Sequence, residues 1–330
     1  MEHTSKSLAN LAVVCPVFNA VNFIPERLSI FRELVAAGAQ LVFIDDLSTD
    51  GGFDTLATEF GGAENVELIR QCRNGGAGVA RNAGFKSVDR PYTLFFDIDD
   101  RLDIEALVRA VSLAKDATAD VQISSYYVED DKGKRKCSPM AGDAGILREV
   151  RERFCDESFD ISAFPKLLRL TNYPWNKIIN TEFAREIDFR FGSTRVQNDV
   201  LAHWTVLLSA RRITLFPETY ITHLVSRDLD QITNDFGPNR LEMFDALEQV
   251  DAELLNDPVA RSIGLKEFMV FKAKLIGWAR TRMNPQFAGA FEDRAVQHVR
   301  GTRVSDLFLL LGENTGLAAQ YSKAIMKRSL

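Results

Sequence analysis

The chain has 330 residues, with 46 acidic against 40 basic side chains, a net charge of −6, and hydrophobic and charged fractions of 46% and 26%. At roughly 100–200 residues per domain this length allows two domains, or one large domain with an appendage, and the composition excludes wholesale disorder and fibrous repeats. The acidic balance argues against nucleic acid as a partner, because such binders carry a basic surplus.

Cys15, Cys72, Cys137 and Cys155 form no Cys-x-x-Cys pair and read as reduced thiols of a cytoplasmic protein. No apolar run reaches the ~18 residues of a spanning helix. Lys6 followed by Leu8–Phe18 imitates a short signal peptide, but Pro16 interrupts the run and no small-residue cleavage site follows.

The first 118 residues alternate strand and helix. Short apolar runs at Leu11–Cys15, Leu41–Ile44, Val66–Ile69 and Tyr92–Phe96 predict buried strands. Helical spacing predicts helices over Asn22–Ala37, with an apolar stripe of Ile24, Leu28, Phe31, Leu34 and Val35, and over Phe53–Phe60, Gly78–Val88 and Ile104–Ala117. This rhythm implies a mostly parallel sheet with helices on both faces. The second stretch, 119–236, predicts strands at Val121–Val128, Arg212–Phe216 and Thr219–Leu224, and helices at Phe183–Ile187 and Val200–Ser209. It also holds a charged turn at Asp130–Lys136 and a small, flexible run at Met140–Gly145. After Gly237-Pro238, residues 237–330 read as a helical region: Leu241–Leu255, Val259–Met283, a weaker stretch, then Val304–Lys327.

Carboxylates gather where strands end. Asp45-Asp46 follows the second strand; Asp97, Asp99 and Asp100 follow the fourth, in Phe-Phe-Asp-Ile-Asp-Asp. In an open parallel sheet, ligands bind beyond the carboxyl ends of the strands. Two acid clusters there repel one another and call for a cation; oxygen ligands suit Mn2+ or Mg2+, which can hold a diphosphate. Acids after strands also solvate turns and cap helices, but Asp-x-Asp-Asp with a second pair upstream exceeds that need. Next, Gly75-Gly76-Ala77-Gly78 opens a helix and could cradle phosphate through backbone N–H groups. The dinucleotide spacing fails, since Arg81 stands where the third glycine belongs.

Four strings carry a resemblance: Val-Val-Cys-Pro-Val-Phe-Asn (13–19), Asp-Asp-Leu-Ser-Thr-Asp-Gly (45–51), Asn-Gly-Gly-Ala-Gly-Val-Ala-Arg-Asn-Ala-Gly (74–84) and Phe-Phe-Asp-Ile-Asp-Asp (95–100). In this order they resemble the family 2 glycosyltransferases of the GT-A fold, and the resemblance continues more loosely to about residue 235. It implies a three-layer α/β sandwich with a mostly parallel central sheet, followed by the C-terminal helical region. Residues 1–118 would bind the nucleotide sugar, and 119–236 the acceptor. It implies inverting transfer from a nucleotide-activated sugar, most often a UDP-sugar, with a divalent metal. The acceptor would be a glycan, a polymer or a lipid-linked hydroxyl.

Carried over by position, Pro16 and Phe18 line the base site, Asp45 and Asp46 take the base and its pocket edge, and Arg81 faces the nucleotide. Asp97 and Asp99 form the Asp-x-Asp, with Asp99 the metal ligand and Asp100 a further ligand or sugar contact. Trp175-Asn176-Lys177 resembles an element on the acceptor side, and Asp199 is the general base. Asn198 stands where members commonly carry Glu, and Phe18 where Tyr is common. His223 matches a late metal-binding histidine of some relatives, and Arg227 is placed to meet the diphosphate; each also reads as a packed or solvated residue. The C-terminal helices carry apolar faces (Phe268, Phe271, Leu275, Trp278, Leu307, Leu310, Leu311), which suit packing on the core, a homo-oligomer, or peripheral contact with the inner face of a membrane beside a basic end. Two further readings compete. A nucleotidyltransferase would want a basic Gly-rich loop near the N-terminus, yet no Lys or Arg follows the first strand until Arg27; an inactive sugar-binding or assembly module sits poorly with intact acids.

Overall fold

The computed structural model describes residues 7–130, 135–136, 138–155, 157–225, 236–313, 315–316, 318–319 and 321. The first half follows the expected alternation: β1 (Leu11–Val17), α1 (Ile24–Ala36), β2 (Gln40–Asp45), α2 (Gly52–Phe60), β3 (Val66–Arg70), α3 (Ala77–Phe85), β4 (Tyr92–Phe95), β5 (Arg101–Leu102) and α4 (Ile104–Asp116). Then come β6 (Val121–Ser124), β7 (Tyr127–Asp130), β8 (Arg135–Lys136), α5 (Ala141–Phe154), β9 (Lys177–Asn180), α6 (Thr181–Glu186), α7 (Asp199–Ser209), β10 (Ile213–Phe216) and β11 (Ile221–Val225). Four helices close the described chain: α8 (Met243–Asn256), α9 (Pro258–Arg280), α10 (Ala288–Arg300) and α11 (Val304–Glu313).

Seven strands form the main sheet in the order β10-β6-β9-β4-β1-β2-β3. All neighbours are parallel except β9, which runs antiparallel between β4 and β6. Successive residues of β1 face opposite ways. Ala12 and Val14 enter one hydrophobic cluster with Ala80 of α3 and Val200 and Trp204 of α7. Leu11, Val13 and Cys15 enter the other, with Phe31 of α1, Phe60 of α2 and Leu107 of α4. Both faces are therefore covered, which explains why these strands are apolar throughout. A small second sheet, β5-β11-β7-β8, lies beside the first.

Four expectations change. The single strand expected over Val121–Val128 is two, with β6 in the main sheet beside β9 and β10, and β7 in the small sheet beside β11. The run expected to be flexible at Met140–Gly145 enters the 14-residue helix α5. The weak C-terminal stretch contains α10. On α1 the buried stripe is Ile24, Arg27, Phe31 and Leu34, so a cation stands where Leu28 was expected.

The C-terminal helices share the core on the α7 face: Trp204 meets Phe268 at 4.8 Å and Phe271 at 5.7 Å. Arg169 adds polar anchors, to Glu267 of α9 and to Glu313 of α11 at 2.7 Å. On α11, Leu310 is buried while Val304, Phe308 and Leu311 are exposed. Among the described residues no helix is long and apolar enough to cross a membrane.

Helix α3 lies unusually close to the sheet at Gly84. A Cβ there would fall 2.3 Å from Cδ1 of Ile44 and 2.8 Å from Cγ1 of Val14. Gly84→Ala should lose stability, because overpacking costs about 1–3 kcal/mol while the gain in helix propensity returns about 1 kcal/mol. Urea unfolding checks this against Gly62→Ala, where a Cβ meets nothing within 4 Å and stability should not fall.

Candidate active site

Parallel strands β1, β2 and β4 end along one edge of the sheet, so their following loops share a crevice. The first two loops are laced together. Asn19 accepts the Thr49 N–H at 2.9 Å, and its own N–H donates to Oγ of Ser48 at 2.9 Å; the Val21 N–H donates to Asp50 at 2.7 Å. The lacing holds Asn19 and Leu47 at φ of 48° and 66°, a region that non-glycine residues seldom adopt. It leaves Phe18 and Leu47 as an exposed apolar rim, with Pro16 half-buried beneath.

Asp45 and Asp46 point inward. Asp45 is buried, accepts the Ser48 N–H at 3.0 Å and pairs with Arg70 at 3.1 Å. Asp46 accepts the N–H groups of Gly75 and Gly76 at 2.8 and 2.7 Å. The glycine turn thus spends two of its backbone donors on Asp46 rather than on a phosphate.

The third loop concentrates charge. Asp100 is buried, and one carboxylate oxygen accepts the Leu224 N–H at 2.9 Å and meets Nδ1 of His223 at 2.9 Å. Its second oxygen is buried and has no hydrogen-bond partner among the described residues. Burial, and then the neighbouring Asp100 and Asp97, push the Asp99 carboxyl up to about 7. Arg27 reaches from α1 to donate to the Asp99 carbonyl at 3.0 Å, which explains the cation buried in that stripe. His223, on β11, presents Nδ1 to Asp100, which leaves Nε2 facing away from that carboxylate, the arrangement usual for a metal-binding histidine.

Among the described residues no three His, Cys, Asp or Glu side chains form a ready-made metal cage. Mg2+ and similar hard cations are commonly held by one or two carboxylates with substrate phosphates and water. Asp99, crowded by like charge, and the unpartnered oxygen of Asp100 fit that requirement. Asp97 is engaged elsewhere.

Its partner is Arg81. This guanidinium, expected to face the nucleotide, is 5% exposed. It donates to Asp97 at 2.5 Å and to Oδ1 of Asn198 at 2.9 Å, and lies over the Phe191 ring at 5.1 Å. The neighbouring Asn82 donates to the Phe191 carbonyl at 2.9 Å and accepts its N–H at 2.8 Å. Gly78 completes the approach: a Cβ there would lie 2.2 Å from the Gly192 carbonyl oxygen. The string expected to serve the donor therefore clamps the 191–198 loop that delivers Asp199.

Asp199 opens α7 and is half-buried. Burial raises its carboxyl to about 6, against the opposing pull of Arg81 and Lys177. Trp175, Asn176 and Lys177, expected to touch the acceptor, are fully or almost fully buried, because β9 is an interior strand. Lys177 donates to the Tyr173 carbonyl at 2.7 Å and to Asn176 at 2.8 Å, and burial brings its pKa down to about 7. Lys177 and Asp199 line one cavity of about 10 Å³, far too small for a sugar. Arg227 lies outside the described residues.

The profile of the family described as "Glycosyl transferase family 2" matches residues 12–198, and the chain belongs to that family. It is 22% identical over 276 residues to a poly(ribitol-phosphate) beta-glucosyltransferase of Bacillus spizizenii, covering 82% of this chain and 41% of that one. It is 29% identical over 138 residues to the poly(ribitol-phosphate) beta-N-acetylglucosaminyltransferase TarP of Staphylococcus aureus, covering 41% of each. The chain thus spans about two fifths of the length of these two relatives. The fold is that of S. aureus TarS 1-349, whose crystal structure in complex with UDP-GlcNAc superposes with a TM-score of 0.74 at 17% identity, covering 97% of this chain and 91% of that one.

Arg81→Lys should uncouple Asp97 from Asn198, because an ammonium cannot reproduce the two-sided fork. Losing a hydrogen bond to a charged partner costs about 1.5–3 kcal/mol, so chemical denaturation should show a loss of that order. Unchanged stability would mean that the strut carries no load.

Proposed function

We propose that this chain is a metal-dependent, inverting glycosyltransferase that moves a hexose or N-acetylhexosamine from a UDP-sugar to a hydroxyl of a polyol-phosphate or glycan polymer. One observation carries the reading: a crowded carboxylate cluster on one side of the crevice faces a separate, partly buried carboxylate, Asp199, tied to it through Arg81 and Asn198. The names of the relatives and the UDP-GlcNAc complex of the structural neighbour support the donor and acceptor classes.

In this reading the uracil rests on the Phe18 and Leu47 rim, above Pro16 and the Asp45–Ser48 turn. Asp99 and Asp100 hold Mn2+ or Mg2+, with His223 beside them. When bound, such a cation offsets charge developing on the leaving diphosphate without any proton transfer. Asp199 takes the proton of the acceptor hydroxyl as it attacks the anomeric carbon from the face opposite the diphosphate. A pKa near 6 leaves Asp199 ionised at neutral pH while keeping it more basic than an exposed carboxylate. Arg81 fixes the distance between base and cluster, and Lys177, its pKa brought down to about 7, lies beneath as a counter-charge while it is protonated.

Asp199→Asn should still bind UDP-sugar and metal, with transfer lowered about 10²–10⁴-fold. The wild-type kcat/KM should fall as pH drops below about 6, because the base must be ionised, and hold level above it. Near wild-type transfer by the Asn variant would remove the assignment. Asp99→Ala, and wild type in excess chelator, should each lose nearly all transfer while the melting curve stays cooperative; full activity in chelator would refute the metal requirement.

A further inference from the structure

Tyr173 lies just before β9, and its side chain is only partly buried. The ring is fixed on three sides. It stacks on Trp175 at 4.3 Å and 15°, meets Tyr126 edge-on at 5.5 Å, and leans on His223 at 5.0 Å. Tyr126 is itself anchored, donating its hydroxyl to Asp143 at 2.7 Å, and Asp143 also accepts the Thr171 N–H at 3.1 Å. The Tyr173 carbonyl is held by Lys177. Three ring neighbours therefore immobilise one phenol.

The hydroxyl of that phenol has no hydrogen-bond partner among the described residues, and it is not among the buried polar atoms. A rigid aromatic ring with an open donor at its tip is built to meet something outside the chain. Its neighbours say where it stands: His223, against its ring, is hydrogen-bonded to Asp100, and Lys177, which holds its carbonyl, lines one cavity with Asp199. Asp100 and Asp97 belong to the cluster side of the crevice and Asp199 to the base side. In a single in-line displacement the anomeric carbon must lie between the leaving diphosphate and the base-held hydroxyl. The group beside both is the transferred sugar.

We propose that Tyr173 holds the transferred sugar, its ring lying against the apolar face and its hydroxyl donating to a sugar oxygen, so that it contributes to the choice of donor sugar. This rests on the donor reading above and adds a contact for the sugar alone, not for the nucleotide.

The test compares UDP with UDP-GlcNAc, each with Mn2+, by calorimetry on wild type and Tyr173→Phe. Phe keeps the stacking on Trp175 and His223, and thermal melting confirms the fold. UDP affinity should stay within about twofold. UDP-GlcNAc affinity and kcat/KM should fall roughly 3–10-fold, the size of one hydrogen bond, and Tyr173→Leu should deepen that loss selectively. Equal weakening of UDP and UDP-GlcNAc would show that Tyr173 only supports His223, and would overturn the proposal. So would an unchanged UDP-GlcNAc affinity in Tyr173→Phe with wild type binding both ligands. Wild type that binds neither nucleotide would instead overturn the donor reading, and this proposal with it.

Discussion

The Arg81 guanidinium is the contact on which the site depends. It joins Asp97, just beyond β4, to Asn198, one residue before Asp199. Those two points are 101 residues apart in the chain, and neither β4 nor α7 would fix the other alone. A buried guanidinium with two hydrogen-bonded partners sets a distance that loops cannot set. Removing one partner of such a buried pair is costly, because it strands the other charge. Asn198 is part of the same logic. A neutral amide there accepts from Arg81 while Asp97 supplies the charge; a carboxylate would compete with Asp97 for the same cation.

The remaining carboxylates divide by task. Asp45 and Asp46 are spent on backbone N–H groups and on Arg70, so they shape the crevice wall. Asp99 and Asp100 are left crowded by like charge, and one buried oxygen of Asp100 has no hydrogen-bond partner among the described residues. That difference follows from local geometry: the loop after β2 offers N–H donors in a tight turn, whereas the loop after β4 presents mostly other acids. One pair of acids is thus hydrogen-bonded to its own loops and the other electrostatically unsettled, which is the condition that favours a cation.

Much of this was legible in the sequence. Continuous apolar strands and their spacing gave the parallel half of the sheet, and acids after β2 and β4 placed the crevice. What stayed hidden depends on distant partners. Lys177–Asn180 has only Ile178 and Ile179 as apolar signal, and nothing local says that it will insert antiparallel between β4 and β6. Val121–Val128 reads as one strand because its break at Ser125-Tyr126 is decided by two different sheets. Helix α5 is rich in Gly and charge, and its place is fixed by contacts of Ile146, Leu147 and Val150 with the core. The packing of Arg81 and Lys177 was hidden for the same reason: residue type announced a functional position, but only packing shows which partners a side chain meets. Arg27 carried a usable signal, a cation in an apolar stripe, which means a buried acceptor waits for it.

The central claim is a single displacement between the carboxylate cluster and Asp199. Its stereochemical consequence can be read directly, by following the anomeric proton of the product by NMR after transfer from an α-linked UDP-sugar to a poly(ribitol-phosphate) acceptor. The account predicts a β-linked product. An α-linked product would mean retention, by double displacement or by attack from the face of the leaving diphosphate, and would contradict it.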